Sequence, residues 1–164
     1  MRQFNPNVLH SVKGTTADSK DKDKFANLIG PTDAKLDREV REKLITARVG
    51  LLLKASFFGN LATRLKLVNA DEWCATAATD GRHFYYNSKF INMLDTGQMM
   101  FLFCHELLHC AYDHIGRTRK THNRKVANIA MDYVVNAFIE ESDPEFKFVE
   151  RPTDPEPLVH AKYF

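Results

Sequence analysis

Apolar residues recur at steps of three and four from residue 36 to residue 58, and this spacing predicts one amphipathic helix of about six turns. The positions are Leu36, Val40, Leu44, Ala47, Leu51, Ala55 and Phe58. Pro31-Thr32-Asp33 precedes the stripe as a helix start, and Gly59-Asn60 follows it as a helix stop. We expect this long helix to be the scaffold against which the buried helix of residues 96–112 packs.

Three short segments after this helix have strand character: residues 64–68, 73–78 and 83–86. Asp80-Gly81 separates the last two and is a strong hairpin signal. A short helix is predicted over residues 87–94. Together these segments predict a small antiparallel sheet or hairpin, and the chain as a whole is expected to be α+β.

Residues 96–112 are apolar nearly all round, which is typical of a helix buried inside a domain. Asp95 or Thr96 can cap its first turn. A second helix is predicted over residues 126–139, where Asn128, Asp132 and Asn136 form a polar stripe at steps of four on an otherwise apolar helix.

Composition limits what the chain can be. Its 164 residues are 44% hydrophobic, which supports one globular domain, predicted over residues 32–164. Residues 1–31 have few apolar positions and an alternating charge run, so we expect a flexible N-terminal arm. The net charge of +2 gives no electrostatic reason to expect a nucleic-acid partner.

The expected location is cytoplasmic, without a membrane partner. No apolar run approaches the ~20 residues that span a bilayer, and the first residues lack a signal-peptide core. Cys74, Cys104 and Cys110 are an odd number without a C-x-x-C pair, so we expect reduced, buried thiols.

The chemistry of the chain centres on His105-Glu106-Leu107-Leu108-His109. Two imidazoles four residues apart on a helix point the same way and can hold one metal ion between them. This is the H-E-x-x-H pattern of zinc peptidases, in which the glutamate is the general base. Buried histidines with hydrogen-bonded neighbours are the alternative.

A catalytic zinc site needs a third protein ligand. His114 would face away from the ion if the helix continued, and Asp113 would be one turn too distant, so it is better interpreted as an outer or helix-end group. Asp132 on the next helix would be a buried carboxylate, which needs a cation nearby. It could also be the third ligand that the histidine pair needs. Asn136, one turn on, could hydrogen-bond a ligand imidazole.

The runs His105-Glu106-Leu107-Leu108-His109-Cys110 and residues 128–136, with residues 79–87 upstream, resemble a group of bacterial and phage metallopeptidase-like proteins. In that group a zincin-type domain commonly precedes a von Willebrand A-like domain. The resemblance implies a peptidase with a peptide or protein substrate, and it leaves room for a further domain or a regulatory partner. The chain is also similar to the gluzincins, but Asp132 stands where they usually have Glu, and Asn136 where they have Asp.

These observations predict a zincin-like peptidase. Zn²⁺ is expected on His105, His109 and Asp132, with Glu106 as general base. The resemblance to zincins implies an edge strand beside the metal for an extended substrate, and residues 73–86 are the candidate hairpin. The oxyanion could be stabilised by one of four side chains: Tyr133, His83, Tyr85 and His114.

Two alternatives remain open. The first is a binding or assembly module of weak or no activity, in which a fourth protein ligand closes a structural zinc site. That ligand would be Asp113, a cysteine or His114. The second is a nucleic-acid-associated factor that uses the basic loop of residues 117–125.

Overall fold

The computed structural model describes residues 25, 27–118 and 121–143, together with residues 145, 147 and 149. Most of the predicted arm, and the proline-rich end of the chain, lie outside the described residues. The end of the arm contacts the domain: the ring centroids of Phe25 and Phe90 are 6.2 Å apart. The backbone N–H of Gly30 donates to the carbonyl of Asp71. The boundary at residue 31 stays a prediction.

The first helical region is two helices, α1 (Ala34–Lys54) and α2 (Ser56–Arg64), separated at Ala55. Asp33 caps α1 by accepting from the backbone N–H groups of Lys35 and Leu36. The prediction of one helix through residue 58 is wrong, because Gly59 and Asn60 lie inside α2 instead of ending α1.

Close packing of the two helices explains this difference. A Cβ atom on Gly59 would lie 2.2 Å from the Cα atom of Leu52 and 2.4 Å from its nitrogen. Glycine therefore lets the backbone of α2 fold back directly onto the last turns of α1. A glycine required by such an approach has the same appearance in a sequence as a glycine that stops a helix.

The sheet has three strands, β1 (Lys66–Asn69), β2 (Ala77–Thr79) and β3 (His83–Tyr86), in the order β1-β3-β2. The predicted hairpin is confirmed, since β2 and β3 pair antiparallel. The alternative prediction, an antiparallel sheet, is wrong for one pair of strands, because β1 pairs parallel with β3. After β1 the chain forms β2 at the opposite edge of the sheet, and β3 then lies between the two. Within the hairpin only β2 therefore lies at an edge.

The second half is helical: α3 (Ser88–Asn92), α4 (Thr96–Ala111), α5 (His114–Thr118) and α6 (Arg124–Ser142). Asp95 and Gln98 form a capping box at the start of α4. The expected mixture of helices with a small sheet is confirmed. No described helix is both long and apolar enough to cross a membrane.

Helix α4 lies at the centre of the domain, and every residue from Met99 to His109 is buried. The scaffold prediction is confirmed, because α1 packs along α4. The Arg48 guanidinium, for example, lies 5.5 Å from the ring centroid of Phe103. The sheet covers another side of α4, where the ring centroids of Phe84 and Phe103 are 4.5 Å apart. Helix α6 packs beside α4 as well.

Candidate metal centre

Three potential metal ligands meet where α4 packs against α6. The Nε2 atoms of His105 and His109 are 3.0 Å apart. The Oδ1 atom of Asp132 lies 3.7 Å from the first and 3.1 Å from the second. All three residues are buried. The structure therefore brings together the two imidazoles and the carboxylate that the sequence pattern singled out.

The spacing of these atoms fits a tetrahedral ion. Ligand atoms about 2.0–2.1 Å from a tetrahedral zinc are separated from each other by about 3.3 Å. Three atoms 3.0, 3.1 and 3.7 Å apart lie on a circle of about 1.9 Å radius, so one point about 2.1 Å from all three lies just above their plane. Two imidazole nitrogens and a carboxylate oxygen are also a donor set that zinc accepts.

The surroundings of His105 determine its tautomer, its orientation and its charge. Its Nδ1–H group donates to Oδ1 of Asn136 at 2.9 Å, which leaves the Nε2 lone pair turned toward His109 and Asp132. Burial, and next the charge of His109, lower the pKa of His105 to about 4. The ring is therefore neutral near pH 7, as a metal ligand must be. The predicted contact of Asn136 with a site imidazole is confirmed.

Glu106 lies in the same buried region. Burial raises the pKa of its carboxyl to about 8, and the charge of Asp132 acts in the same direction. Among the described residues, no hydrogen-bond partner reaches its buried Oε1 atom. Burying a carboxyl oxygen without a partner is costly. The Oε1 atom therefore has room in its hydrogen bonding for a small polar molecule such as water.

His114 occupies a position that the sequence pattern did not predict. The pattern placed its side chain away from the site, but its Nδ1 atom lies 2.9 Å from Nδ1 of His109. That prediction is wrong because α4 ends before residue 114: Asp113 adopts a φ of 50°. Asp113 is the helix-end residue that we expected. Aspartate is one of the few residues besides glycine that adopts a positive φ readily, and Asp113 was therefore the available signal for a helix end there.

Two of the four oxyanion candidates lie away from α4. Side chains alternate along a strand, and Phe84 faces Phe103 of α4, so His83 and Tyr85 face the other side of the sheet. Both contact Asp80, at 2.9 Å from His83 and 3.2 Å from Tyr85. Of the other two candidates, His114 contacts His109, and Tyr133 is half-buried next to Asp132.

The remaining candidates are distributed as follows. Asn128 is half-buried two turns before Asn136 on α6. Cys74, Cys104 and Cys110 are free thiols, and burial raises the pKa of each. Cys110 is the least buried of the three, and its thiol lies 3.6 Å from the hydroxyl of Thr79 at the end of β2.

Within the described part of the chain, three residues lie close enough together to hold one metal ion: His105, His109 and Asp132. Asp113, His114 and the cysteines are not among them. A closed structural zinc site has four protein ligands, whereas a catalytic site has three and one open position. The candidate group within the described residues has three members, not four.

Comparisons with known proteins add one finding. A family model matches residues 39–148, a range that includes α4, the three possible ligands and Glu106. Searches of curated proteins and of solved structures gave no match. Because the match spans more than half of the 164 residues, the chain belongs to the family described as "Putative metallopeptidase domain".

Proposed function

We propose that the protein is a zinc-dependent peptidase. His105, His109 and Asp132 hold the metal, and Glu106 is the general base. One observation carries the proposal: three ligand atoms with tetrahedral spacing meet beside a buried carboxyl whose Oε1 atom has no partner among the described residues. Membership in a metallopeptidase family supports the reaction class.

Glu106 and Asn136 have separate roles in the proposed hydrolysis. When bound, zinc lowers the pKa of a coordinated water and polarises the scissile carbonyl. The positive charge of a bound ion would favour the ionised form of Glu106 and so oppose the effect of burial on its pKa. The carboxylate then takes the proton of the attacking water as the C–O bond forms. It then passes that proton to the amine nitrogen as the C–N bond breaks. Asn136 keeps the His105 ring oriented, with its proton on Nδ1.

We place the substrate as an extended peptide along β2. This strand lies at an edge of the sheet, so its outer backbone groups can pair with another strand. It also lies next to α4, which carries His105 and His109, through the contact between Thr79 and Cys110. A peptide or protein is therefore the proposed substrate class.

A structural zinc module fits the site less well. A structural site would need a fourth protein ligand, and none belongs to the group within the described residues. It would also leave no role for Glu106, whose buried carboxyl is the costly part of the arrangement.

The test compares Glu106→Gln with the wild-type protein. Gln keeps the shape of the side chain but cannot take a proton, so we expect wild-type folding and zinc content with loss of hydrolysis. A mixture of peptides from a digested protein serves as substrate, and mass spectrometry detects new termini. Glu72→Gln changes an exposed carboxyl in the same way and is the matched control. Wild-type protein without stoichiometric metal, or normal hydrolysis by Glu106→Gln, would contradict the proposal.

A further inference from the structure

His114 is a buried residue outside the ligand group, in contact with a ligand. It is 3% exposed. Its Nδ1 atom lies 2.9 Å from Nδ1 of His109, and the ring centroids are 4.9 Å apart at an interplanar angle of 76°. The two ring nitrogens therefore meet edge to edge at hydrogen-bond distance, on the side of His109 opposite the ligand group.

The local fold places His114 there. Asp113 takes a left-handed conformation after α4 and accepts from the backbone N–H of Gly116 through its carboxylate at 3.2 Å. A Cβ atom on Gly116 would lie 2.4 Å from that carboxylate. Thr118 adds a hydrogen bond from its hydroxyl to the carbonyl of His114. The turn thus directs the His114 ring back toward α4.

Ring chemistry gives this contact a direction. The Nε2 atom of His109 faces the site, 3.0 Å from Nε2 of His105 and 3.1 Å from Asp132. A ring nitrogen binds a metal only through its lone pair, so a metal on Nε2 requires the proton on Nδ1. A buried N–H group needs an acceptor, and Nδ1 of His114 is at the right distance.

We propose that His114 is a positioning residue of the metal site, which accepts the Nδ1–H of His109 and so keeps the Nε2 lone pair turned toward the ion. This inference rests on the proposed metal site. His114 then carries its own proton on Nε2. Partners of this kind fix the tautomer and orientation of a ligand imidazole.

The two ligand histidines differ in one respect. The oxygen of Asn136 only accepts, so His105 keeps its proton on Nδ1 in every state. His114 can accept or donate. A metal on Nε2 of His109 would leave the proton of that ring on Nδ1, so His114 would accept in the metal-bound protein.

The test uses three substitutions of His114. Asn places an oxygen close to the position of Nδ1, so His114→Asn keeps an acceptor for His109. The amide group of Gln lies one bond further from the backbone than Nδ1 does, and the Leu side chain has no polar atom. Zinc affinity is measured by competition with a chromophoric chelator. We expect affinity close to wild type for His114→Asn and a loss of roughly 10–100-fold for His114→Gln and His114→Leu.

A second readout follows the tautomers directly. In zinc-loaded protein labelled with ¹⁵N-histidine, we expect the proton of His109 on Nδ1 and the proton of His114 on Nε2. The inference is overturned if all three variants bind zinc like the wild type, or if His114→Asn weakens binding as much as His114→Gln. Should His114→Leu fail to fold, the Asn and Gln variants decide. Failure of the wild type to bind zinc would instead contradict the proposed function.

Discussion

The Nδ1–H of His105 donates to Oδ1 of Asn136 at 2.9 Å, across the contact between α4 and α6. Both side chains are buried, with exposed fractions of 0% and 3%. Because an amide oxygen cannot donate, this bond fixes which nitrogen of His105 carries the proton. The neutral Asn136 therefore does for His105 what a carboxylate does for a ligand imidazole in many zinc sites.

Removal of this acceptor should weaken the metal site. We expect Asn136→Leu to lower zinc affinity by roughly 10–100-fold, because His105 loses the bond that sets its tautomer and orientation. Asn136→Asp keeps an acceptor and should bind zinc at least as tightly as the wild type. Chelator competition on the folded variants measures both. The control is Asn128→Leu, two turns earlier on α6, which should leave affinity unchanged.

Asp132 should be required for metal binding. Asp132→Asn keeps the shape of the side chain but removes the charged oxygen that zinc accepts, so we expect affinity to fall more than about 100-fold, beyond the effect of an outer residue. Metal content after dialysis is the measurement. Glu141→Gln removes an exposed carboxylate from the same helix and should retain full metal content. Stoichiometric zinc in Asp132→Asn would show that the third ligand is another residue.

Zinc should also stabilise the fold. An ion that binds only the folded state contributes about 2.7 kcal/mol at 100 times its Kd. For a chain of this length the midpoint of thermal unfolding should rise by roughly 5–10 °C, and a chelator should reverse the rise. Differential scanning fluorimetry with and without zinc tests this. The rise should disappear in Asp132→Asn, so an equal rise in that variant would indicate that zinc binds elsewhere.

The meeting of His105, His109 and Asp132 could be predicted from the sequence, because it depends on helical periodicity and on the packing of two apolar helices. His105 and His109 share a face at a step of four, and Asp132 is a charged residue on a helix that has to pack. The position of His114 could not be predicted from that periodicity. It depends on where α4 ends, and hence on the left-handed backbone of Asp113.

The sheet shows a second limit. Asp80-Gly81 is a local signal, and the hairpin that it predicts is present. The parallel pairing of β1 with β3 depends instead on which strand takes the middle place, and short strands carry little information about distant partners. Residues 83–86 are all aromatic or histidine, so their pattern did not reveal which face of the strand would meet α4.

Gly59 in α2 and Gly50 in α1 should respond differently to alanine. At Gly59 the new Cβ would lie 2.2 Å from the Cα of Leu52, a backbone atom that cannot move alone, so α2 would have to separate from α1. We expect Gly59→Ala to lower the free energy of unfolding by about 3 kcal/mol. Chemical denaturation of the folded protein measures the loss.

Gly50→Ala is the matched control, in the interior of α1. Its Cβ would lie 3.1 Å from Cε of Met100, the end of a flexible side chain that can shift. Alanine also favours the helix by about 0.5–1 kcal/mol relative to glycine. The two effects are similar in size and opposite in sign, so stability should stay within about 1 kcal/mol of the wild type. Equal losses in both variants would mean that the break at Ala55 does not depend on the close approach at Gly59.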